Sequence, residues 1–321
     1  MYTEPHLQQL VAKLREGSPR ALARAISMVE NRTPQSTELL KALFPYSGNA
    51  LLIGLTGSPG AGKSTLVDQI ARQYRKQGKT IGIIAVDPTS PFSGGAILGD
   101  RIRMQSHHAD AGIYIRSMAT RGSLGGLSST TADVATVLDA SGRDLVIIET
   151  VGVGQDEVDI VRLADVTIVI LVPGMGDDVQ TIKAGIMEIA DIFVINKSDR
   201  EGAERVEREV RAMQSLVTRH DAWVPPIVKT VASEGTGIAE LVQAIEKYRE
   251  YLQQTGMAST RRAHNWRMRL AEMLRDALYE RVLADFLDNG KAEQYAAEVA
   301  EHKRDPYSLV EEMVGELGKN V

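Results

Sequence analysis

Cysteine is absent from the 321-residue sequence, so neither a disulfide framework nor a thiolate metal site can form. No stretch reaches the roughly 18 apolar residues that a membrane span needs, and the amino-terminal segment lacks the pattern of a secretion signal. A basic excess is also missing, because 37 Lys and Arg stand against 42 Asp and Glu. The sequence therefore predicts a cytoplasmic protein that binds neither membranes nor nucleic acid.

Short apolar runs rich in Val and Ile fill the centre of the chain: LLIGLTG, TIGIIAVD, GIYIRS, DLVIIET, VTIVILV, DIFVINK and PIVKTV. Such runs are typical of parallel strands that are buried on both faces. We therefore predict an α/β fold with a doubly wound, mainly parallel sheet in a domain over 49–254. Helical periodicity predicts a helical extension over 1–48 and another over 255–321, with a long helix near 260–288 and a shorter one near 305–317.

The segment GSPGAGKS follows the first run and precedes a helical pattern, so it matches the phosphate-loop motif G-x-x-x-x-G-K-[ST] in its usual context. In such a loop, backbone N–H groups point at phosphate oxygens, the lysine reaches the β- and γ-phosphates, and the serine can ligate Mg²⁺. The alternative is a glycine-rich turn of purely structural use. The predicted phosphate-binding residues are Gly57, Ser58, Pro59, Gly60, Ala61, Gly62, Lys63, Ser64 and Thr65.

The run DIFVI is followed by Asn-Lys-Ser-Asp at 196–199. An ionised Asp199 only accepts hydrogen bonds, and guanine offers two donors on the facing edge where adenine offers an acceptor and a differently placed amine. The motif therefore favours GTP over ATP. Lys197 can lie along the base, and Asn196 can tie this loop to the phosphate loop. The predicted guanine-binding residues are Asn196, Lys197, Asp199, Ala232 and Ser233, although a plain strand-to-loop turn also explains the last two.

Three carboxylates stand at or after strand runs, where they can converge on Mg²⁺ with Ser64, directly or through water. Glu149 ends the run DLVIIE, Asp87 ends TIGIIAVD, and Asp100 lies in the connection that follows. Each carboxylate has an alternative role as an exposed loop acid. Gly152 can turn its N–H towards the γ-phosphate. No glutamine follows it directly, so the residue that orients the attacking water is not evident.

Five segments, in this order and spacing, resemble the MeaB-type GTPases, also known as the ArgK or LAO/AO transport family: VDPTSPFSGGAILGDRIRM, RGSLGG, ETVGVGQ, PGMGDDVQTIKAGIMEIAD and NKSD. The resemblance covers essentially the whole chain. It implies a SIMIBI-class P-loop GTPase of low intrinsic activity and a homodimer built through the C-terminal arm. In that family, GTP hydrolysis gates the delivery of adenosylcobalamin to methylmalonyl-CoA mutase or a close acyl-CoA mutase, and protects the working enzyme.

The same resemblance implies roles for particular residues. Lys63 and Ser64 bind phosphate and Mg²⁺, and Asp199 reads guanine. The segment 173–184 resembles the family's third switch, which couples nucleotide state to the partner. The implied cofactors are GTP or GDP with Mg²⁺, and cobalamin enters only through the partner mutase. The predicted switch and catalytic residues are Asp87, Asp100, Glu149, Gly152, Asp177, Gln180 and Lys183.

Three other functions are possible from the residues. An ATP-dependent kinase linked to amino-acid transport fits the older family name, but Asp199 argues against it. A nickel-delivering metallochaperone GTPase fits the pair His107 and His108, but such relatives use histidine-rich or cysteine-bearing segments, and this sequence has only six histidines. A non-hydrolysing nucleotide sensor is disfavoured by the intact Lys63 and Glu149.

Overall fold

The computed structural model describes residues 4–87, 110–119, 129–150, 160–174, 184–216, 222–286 and 291–317. Its centre is a sheet of seven strands in the order β3-β2-β4-β1-β5-β6-β7, with every neighbouring pair parallel. Each apolar run of the sequence forms one strand, which confirms the predicted α/β class. The strands are β1 (Leu51–Gly57), β2 (Ile81–Asp87), β3 (Ile113–Ala119), β4 (Leu145–Glu149), β5 (Val166–Leu171), β6 (Ile192–Asn196) and β7 (Ile227–Thr230).

Helices flank the sheet and extend the chain at both ends. Those before β2 are α1 (Glu4–Arg15), α2 (Pro19–Glu30), α3 (Ser36–Leu43) and α4 (Lys63–Lys76). Those between β3 and β7 are α5 (Ser129–Ala140), α6 (Ala184–Ile189) and α7 (Ala203–Gln214), and α8 (Ile238–Gln254) follows β7. The C-terminal helices are α9 (Met257–Phe286), α10 (Lys291–Ala300) and α11 (Pro306–Leu317). Two of these three match the predicted helices, and α10 was not predicted.

Side chains of the strands alternate between two apolar layers, because successive residues of a strand point to opposite faces. Ile53 and Leu55 of β1 pack in one cluster with α4 and α8. Val146 and Ile148 of β4 pack in another cluster with α5 and the three N-terminal helices. The N-terminal helices therefore share a core with the sheet. The three-part division at residues 48 and 254 stays a prediction.

The chain divides into two compact units, Met1–Arg262 and Ala263–Val321. Within the first unit, Arg261 at the start of α9 donates two hydrogen bonds to the Asp191 carboxylate, at 3.0 and 2.9 Å. The Asp191 side chain is only 3% exposed, so this is a largely buried ion pair. It holds the N-terminal end of α9 against the start of β6. In the described ranges, no helix combines the length and apolar character needed to cross a bilayer.

The winding of the sheet changes direction at β1, which lies between β4 and β5. In open α/β sheets, ligands bind at such a switch point, outside the carboxyl ends of the strands. Here the carboxyl ends of β1, β4 and β6 bring Gly57, Glu149 and Asn196 to the same edge. This edge is therefore where the fold favours a ligand site.

Asp139 on α5 binds the segment that leads into β1, and these contacts predict how a substitution there affects stability. Its carboxylate accepts hydrogen bonds from the backbone N–H groups of Gly48, of Asn49 at 3.1 Å and of Ala50 at 2.9 Å, and its residue is 6% exposed. The substitution Asp139→Ala leaves these donors without their acceptor. We expect the free energy of unfolding in urea to fall by about 3 kcal/mol.

The control for this measurement is Glu250→Ala, which removes an exposed carboxylate from α8. It should change the free energy of unfolding by about 0.5 kcal/mol or less. A loss for Asp139→Ala no larger than that of the control would contradict the importance of these contacts.

Candidate functional site

Two glycines allow the loop between β1 and α4 to approach its neighbours closely. Gly57 has φ of 147° and Gly62 has φ of 88°, in the region that side chains disfavour. A Cβ atom on Gly57 would lie 2.4 Å from the Ile170 carbonyl oxygen, and one on Gly62 would lie 2.5 Å from Asn196 Nδ2. Both positions therefore require glycine. The helix that follows, α4, begins at Lys63.

The Lys63 ammonium group lies inside this loop. Its side chain is buried, and Nζ donates to the carbonyl oxygens of Gly57 at 2.8 Å and Ser58 at 3.1 Å. A buried ammonium group needs such acceptors, because its desolvation is costly. The lysine thus holds a positive charge beside the first turn of α4, where the backbone N–H groups add partial positive charge. The other loop residues predicted for phosphate are exposed at Pro59, Gly60 and Thr65 and buried at Ala61.

A serine hydroxyl and a carboxylate meet next to the loop. The Ser64 hydroxyl donates to Glu149 Oε1 at 2.7 Å, and the two residues are 8% and 4% exposed. Hydroxyl and carboxylate oxygens are the ligands that Mg²⁺ prefers, so this donor set fits a magnesium ion. Among the side chains that the structure describes, no third Asp, Glu, His or Cys joins them. The backbone of β2 ends at Asp87 on the same edge of the sheet. The Asp87 side chain and the whole of Asp100 are not among the residues and side chains that the structure describes.

The Asn196 side chain joins three loops at the end of β6. It is 2% exposed, and Nδ2 donates to the Ala61 carbonyl oxygen at 2.8 Å. Oδ1 accepts from the Thr230 hydroxyl at 3.1 Å and from the Ala232 backbone N–H at 3.1 Å. All three contacts are buried, so each is shielded from competition with water. The amide therefore connects the phosphate loop to the loop that follows β7.

Lys197 in the 196–199 motif contacts the phosphate loop, and Asp199 in the same motif is exposed. The backbone of Lys197 has φ of 55°, which is uncommon for a residue other than glycine. The Lys197 Nζ donates to the Gly60 carbonyl oxygen at 2.8 Å. Asp199 and Ser233 are exposed, on the loops that follow β6 and β7. The carboxylate of Asp199 is thus accessible to a ligand on this edge of the sheet.

Some site residues were missed by the sequence analysis, and others cannot be placed. Thr56 and Thr150, both buried, join the ends of β1 and β4 through their hydroxyl groups, which are 3.1 Å apart. Thr230, the partner of Asn196, was also missed. For Thr56 and Thr150 the available signal was a threonine directly beside a predicted site residue, Gly57 or Glu149. The predicted switch residues Gly152, Asp177, Gln180 and Lys183 lie outside the described ranges.

Comparison with known families decides the class of the protein. A family model described as "Methylmalonyl Co-A mutase-associated GTPase MeaB" matches residues 22–286. The chain belongs to this family. It is accordingly a GTPase of the MeaB and ArgK type, an enzyme that binds guanine nucleotide and hydrolyses GTP.

Relatives and a solved structure agree with this assignment. The chain is 46% identical to a protein of Pyrococcus abyssi that carries a provisional GTPase name, over 97% of both chains. It is 33% identical to the mouse protein named methylmalonic aciduria type A homolog, mitochondrial, over 85% of this chain and 70% of that one. A solved structure of a protein named LAO/AO transport system kinase has a TM-score of 0.73, at 29% identity and 99% coverage of both chains.

The close approach at Gly62 generates a prediction with a matched control. Gly62→Ala forces a Cβ into the Asn196 amide, whereas Gly142→Ala, at a φ of 85°, meets nothing within 4 Å. Both substitutions should cost about 1 kcal/mol in unfolding free energy from backbone strain. Only Gly62→Ala should also lose the bond from Asn196 to Ala61, and so weaken binding of a fluorescent GDP by about tenfold. Equal GDP affinities in the two variants would contradict this account.

Proposed function

We propose that this GTPase is a chaperone that gates the loading of adenosylcobalamin into methylmalonyl-CoA mutase or a close acyl-CoA mutase, and protects the loaded enzyme. The observation that carries the proposal is the match over 22–286 to a family described as associated with that mutase. The name of the mouse relative, which refers to methylmalonic aciduria, supports the same partner. Cobalamin belongs to the mutase in this proposal, and the chain itself holds GTP or GDP with Mg²⁺.

The phosphate groups of the nucleotide are proposed to bind over the loop 57–65. The support is the combination of a buried lysine, a glycine-built turn and the N-terminus of α4, a helix of 14 residues. Lys63 would exchange its bonds to the loop carbonyl oxygens for bonds to phosphate oxygens. Loop N–H groups would orient the phosphates.

Ser64 and Glu149 are proposed to hold Mg²⁺, either directly or through water. Their 2.7 Å contact supports the pairing, because it places a hydroxyl and a carboxylate oxygen together next to the phosphate loop. When bound, the ion supplies positive charge that offsets the charge developing on the phosphate oxygens during transfer. Asp87, Asp100 and Gly152 stay predictions for the same cluster.

Guanine is proposed to lie between Lys197 and the loop after β7, with Asp199 as its reader. The exposed carboxylate can accept from N1–H and from the N2 amine of guanine. Ala232 uses its N–H for Asn196 Oδ1, so the backbone donor to guanine O6 is assigned to Ser233. Adenine cannot satisfy this arrangement, which supports GTP as the substrate.

Coupling to the mutase and dimer formation complete the proposal. Asp177, Gln180 and Lys183 stay the predicted residues that convey nucleotide state to the partner. A homodimer through the C-terminal arm is supported by large apolar side chains left exposed along α9 at intervals of four residues. These are Leu270, Leu274 and Leu278, which are 58%, 61% and 49% exposed.

A kinase activity is the second candidate, because the protein in the similar solved structure is named a kinase. Asp199 argues against ATP as the phosphate donor for this chain. Turnover of GTP and ATP under the same conditions separates the two functions, since only the kinase requires ATP and a phosphoryl acceptor.

The guanine assignment predicts a change of nucleotide preference. Asp199→Asn replaces an acceptor of two hydrogen bonds with an amide that can donate to the C2 oxygen of xanthine. The preference for GTP over xanthosine triphosphate should fall by about a hundredfold in turnover assays. Glu201→Gln, a change to an exposed acid two residues away, is the control and should leave the preference unchanged. An unaltered ratio in Asp199→Asn would refute the guanine assignment.

The chaperone assignment predicts that the mutase alters GTP turnover. Addition of purified methylmalonyl-CoA mutase should accelerate GTP hydrolysis on the order of tenfold. Coupling between two binding sites on one protein typically has effects of this size. Lys63→Ala should abolish turnover with and without the mutase. The chaperone role would be contradicted if no acyl-CoA mutase changed the rate of GTP hydrolysis. The absence of hydrolysis under every condition would favour a non-hydrolysing sensor.

A further inference from the structure

Two buried threonines bridge the strand ends that carry the phosphate loop and Glu149. Thr56 is fully buried and directly precedes Gly57, and Thr150 is 1% exposed and directly follows Glu149. Their hydroxyl oxygens are 3.1 Å apart, at hydrogen-bond distance. Thr150 also donates to the Leu55 carbonyl oxygen, from its hydroxyl at 3.3 Å and from its backbone N–H at 3.1 Å.

The bridge lies one step beyond the end of the regular pairing between β1 and β4. The last pair of that ladder is Leu55 with Glu149. After this pair β4 ends, whereas β1 continues to Gly57 and pairs there with β5. Beyond the ladder, β1 and the chain that follows β4 are joined by the contacts of Thr150 with Leu55 and Thr56. A threonine side chain has a restricted χ1 angle, so a hydrogen bond to its hydroxyl also restrains its backbone. The hydroxyl bridge therefore extends the connection between β1 and β4 by one residue, to Thr56 and Thr150, which adjoin Gly57 and Glu149.

We propose that Thr56 and Thr150 are positioning residues for the Mg²⁺ site. Neither threonine contacts the nucleotide or the ion in this proposal. The bridge holds the start of the phosphate loop against the end of β4, and so keeps Ser64 and the Glu149 carboxylate at the separation that the ion requires. This inference rests on the proposed function, since it concerns the metal that the GTPase site holds.

A purely structural role is the competing explanation, in which the two hydroxyl groups only satisfy each other inside the core. Thr167 on β5 provides the matched control. It is fully buried in the strand next to β1, and its hydroxyl has no hydrogen-bond partner among the described residues. Thr167→Val therefore removes a buried hydroxyl from the same sheet without removing a hydrogen bond.

The test compares the full-length wild type with Thr150→Val, Thr56→Val, Thr150→Ser and Thr167→Val. A Mg²⁺ titration of fluorescent GDP binding gives the apparent metal affinity without turnover, and thermal unfolding reports stability separately. Thr150→Val should raise the Mg²⁺ concentration at half-saturation about tenfold, as the loss of an outer support of a metal site does. Thr150→Ser should restore it to within about twofold, because the hydroxyl is retained.

The threonine pair should behave as a unit. The double variant Thr56→Val/Thr150→Val should bind Mg²⁺ as well as whichever single variant binds it less tightly. The effects should not add, because both substitutions remove the same hydrogen bond. Where Thr150→Val does not fold, Thr56→Val carries the same comparison from the other side of the bridge. Thr167→Val should retain the wild-type Mg²⁺ dependence.

Two results would overturn the inference, and they are distinguishable. Equal Mg²⁺ dependence in Thr150→Val, Thr56→Val and Thr167→Val, whatever their melting temperatures, would show that the bridge is only structural. Failure of the wild type to bind fluorescent GDP at any Mg²⁺ concentration would instead remove the proposed function, and this inference with it.

Discussion

The buried amide of Asn196 is the contact on which the arrangement of the candidate site depends. One side chain donates to the phosphate loop at Ala61 and accepts from Thr230 and Ala232 on the far side. An amide can do both, whereas an ionised carboxylate of the same shape has no hydrogen to donate. The contact also explains Gly62, since the amide nitrogen occupies the space that a side chain there would need.

A shared anchor of this kind gives the two halves of the proposed nucleotide site one geometry. The phosphate loop follows β1, and the two loops proposed to bind guanine follow β6 and β7. The sheet fixes where each loop begins, so the rest of their arrangement depends on contacts between the loops. The bond from Lys197 to Gly60 adds a second link between the same loops. A nucleotide that bridges both halves then meets a site that is already assembled, which lowers the ordering cost of binding.

Local sequence patterns predicted most of the fold and part of the site. Parallel strands buried on both faces need continuous apolar runs, and the phosphate loop needs glycine at fixed positions, so both leave a local signal. Helix α10 was missed although its sequence KAEQYAAEVA favours a helix by intrinsic preference, because the helices were predicted from apolar periodicity and α10 buries no residue. The contacts of Asp139 with the entry to β1, and of Thr150 with Thr56, join residues about ninety positions apart. Such contacts are specified by the assembled sheet and have no local pattern. The roles of Asp87, Asp100, Gly152, Asp177, Gln180 and Lys183 stay predictions.

The most direct test of this account is backbone hydrogen exchange in Asn196→Ala, compared with the wild type in the absence of nucleotide. Loss of the amide should accelerate exchange about tenfold or more in both 58–65 and 230–236, because each segment loses a bond to the same side chain. Exchange in the strands β1 and β4 should stay unchanged. Faster exchange confined to 230–236, with the phosphate loop unaffected, would contradict the claim that Asn196 holds the two halves of the site together.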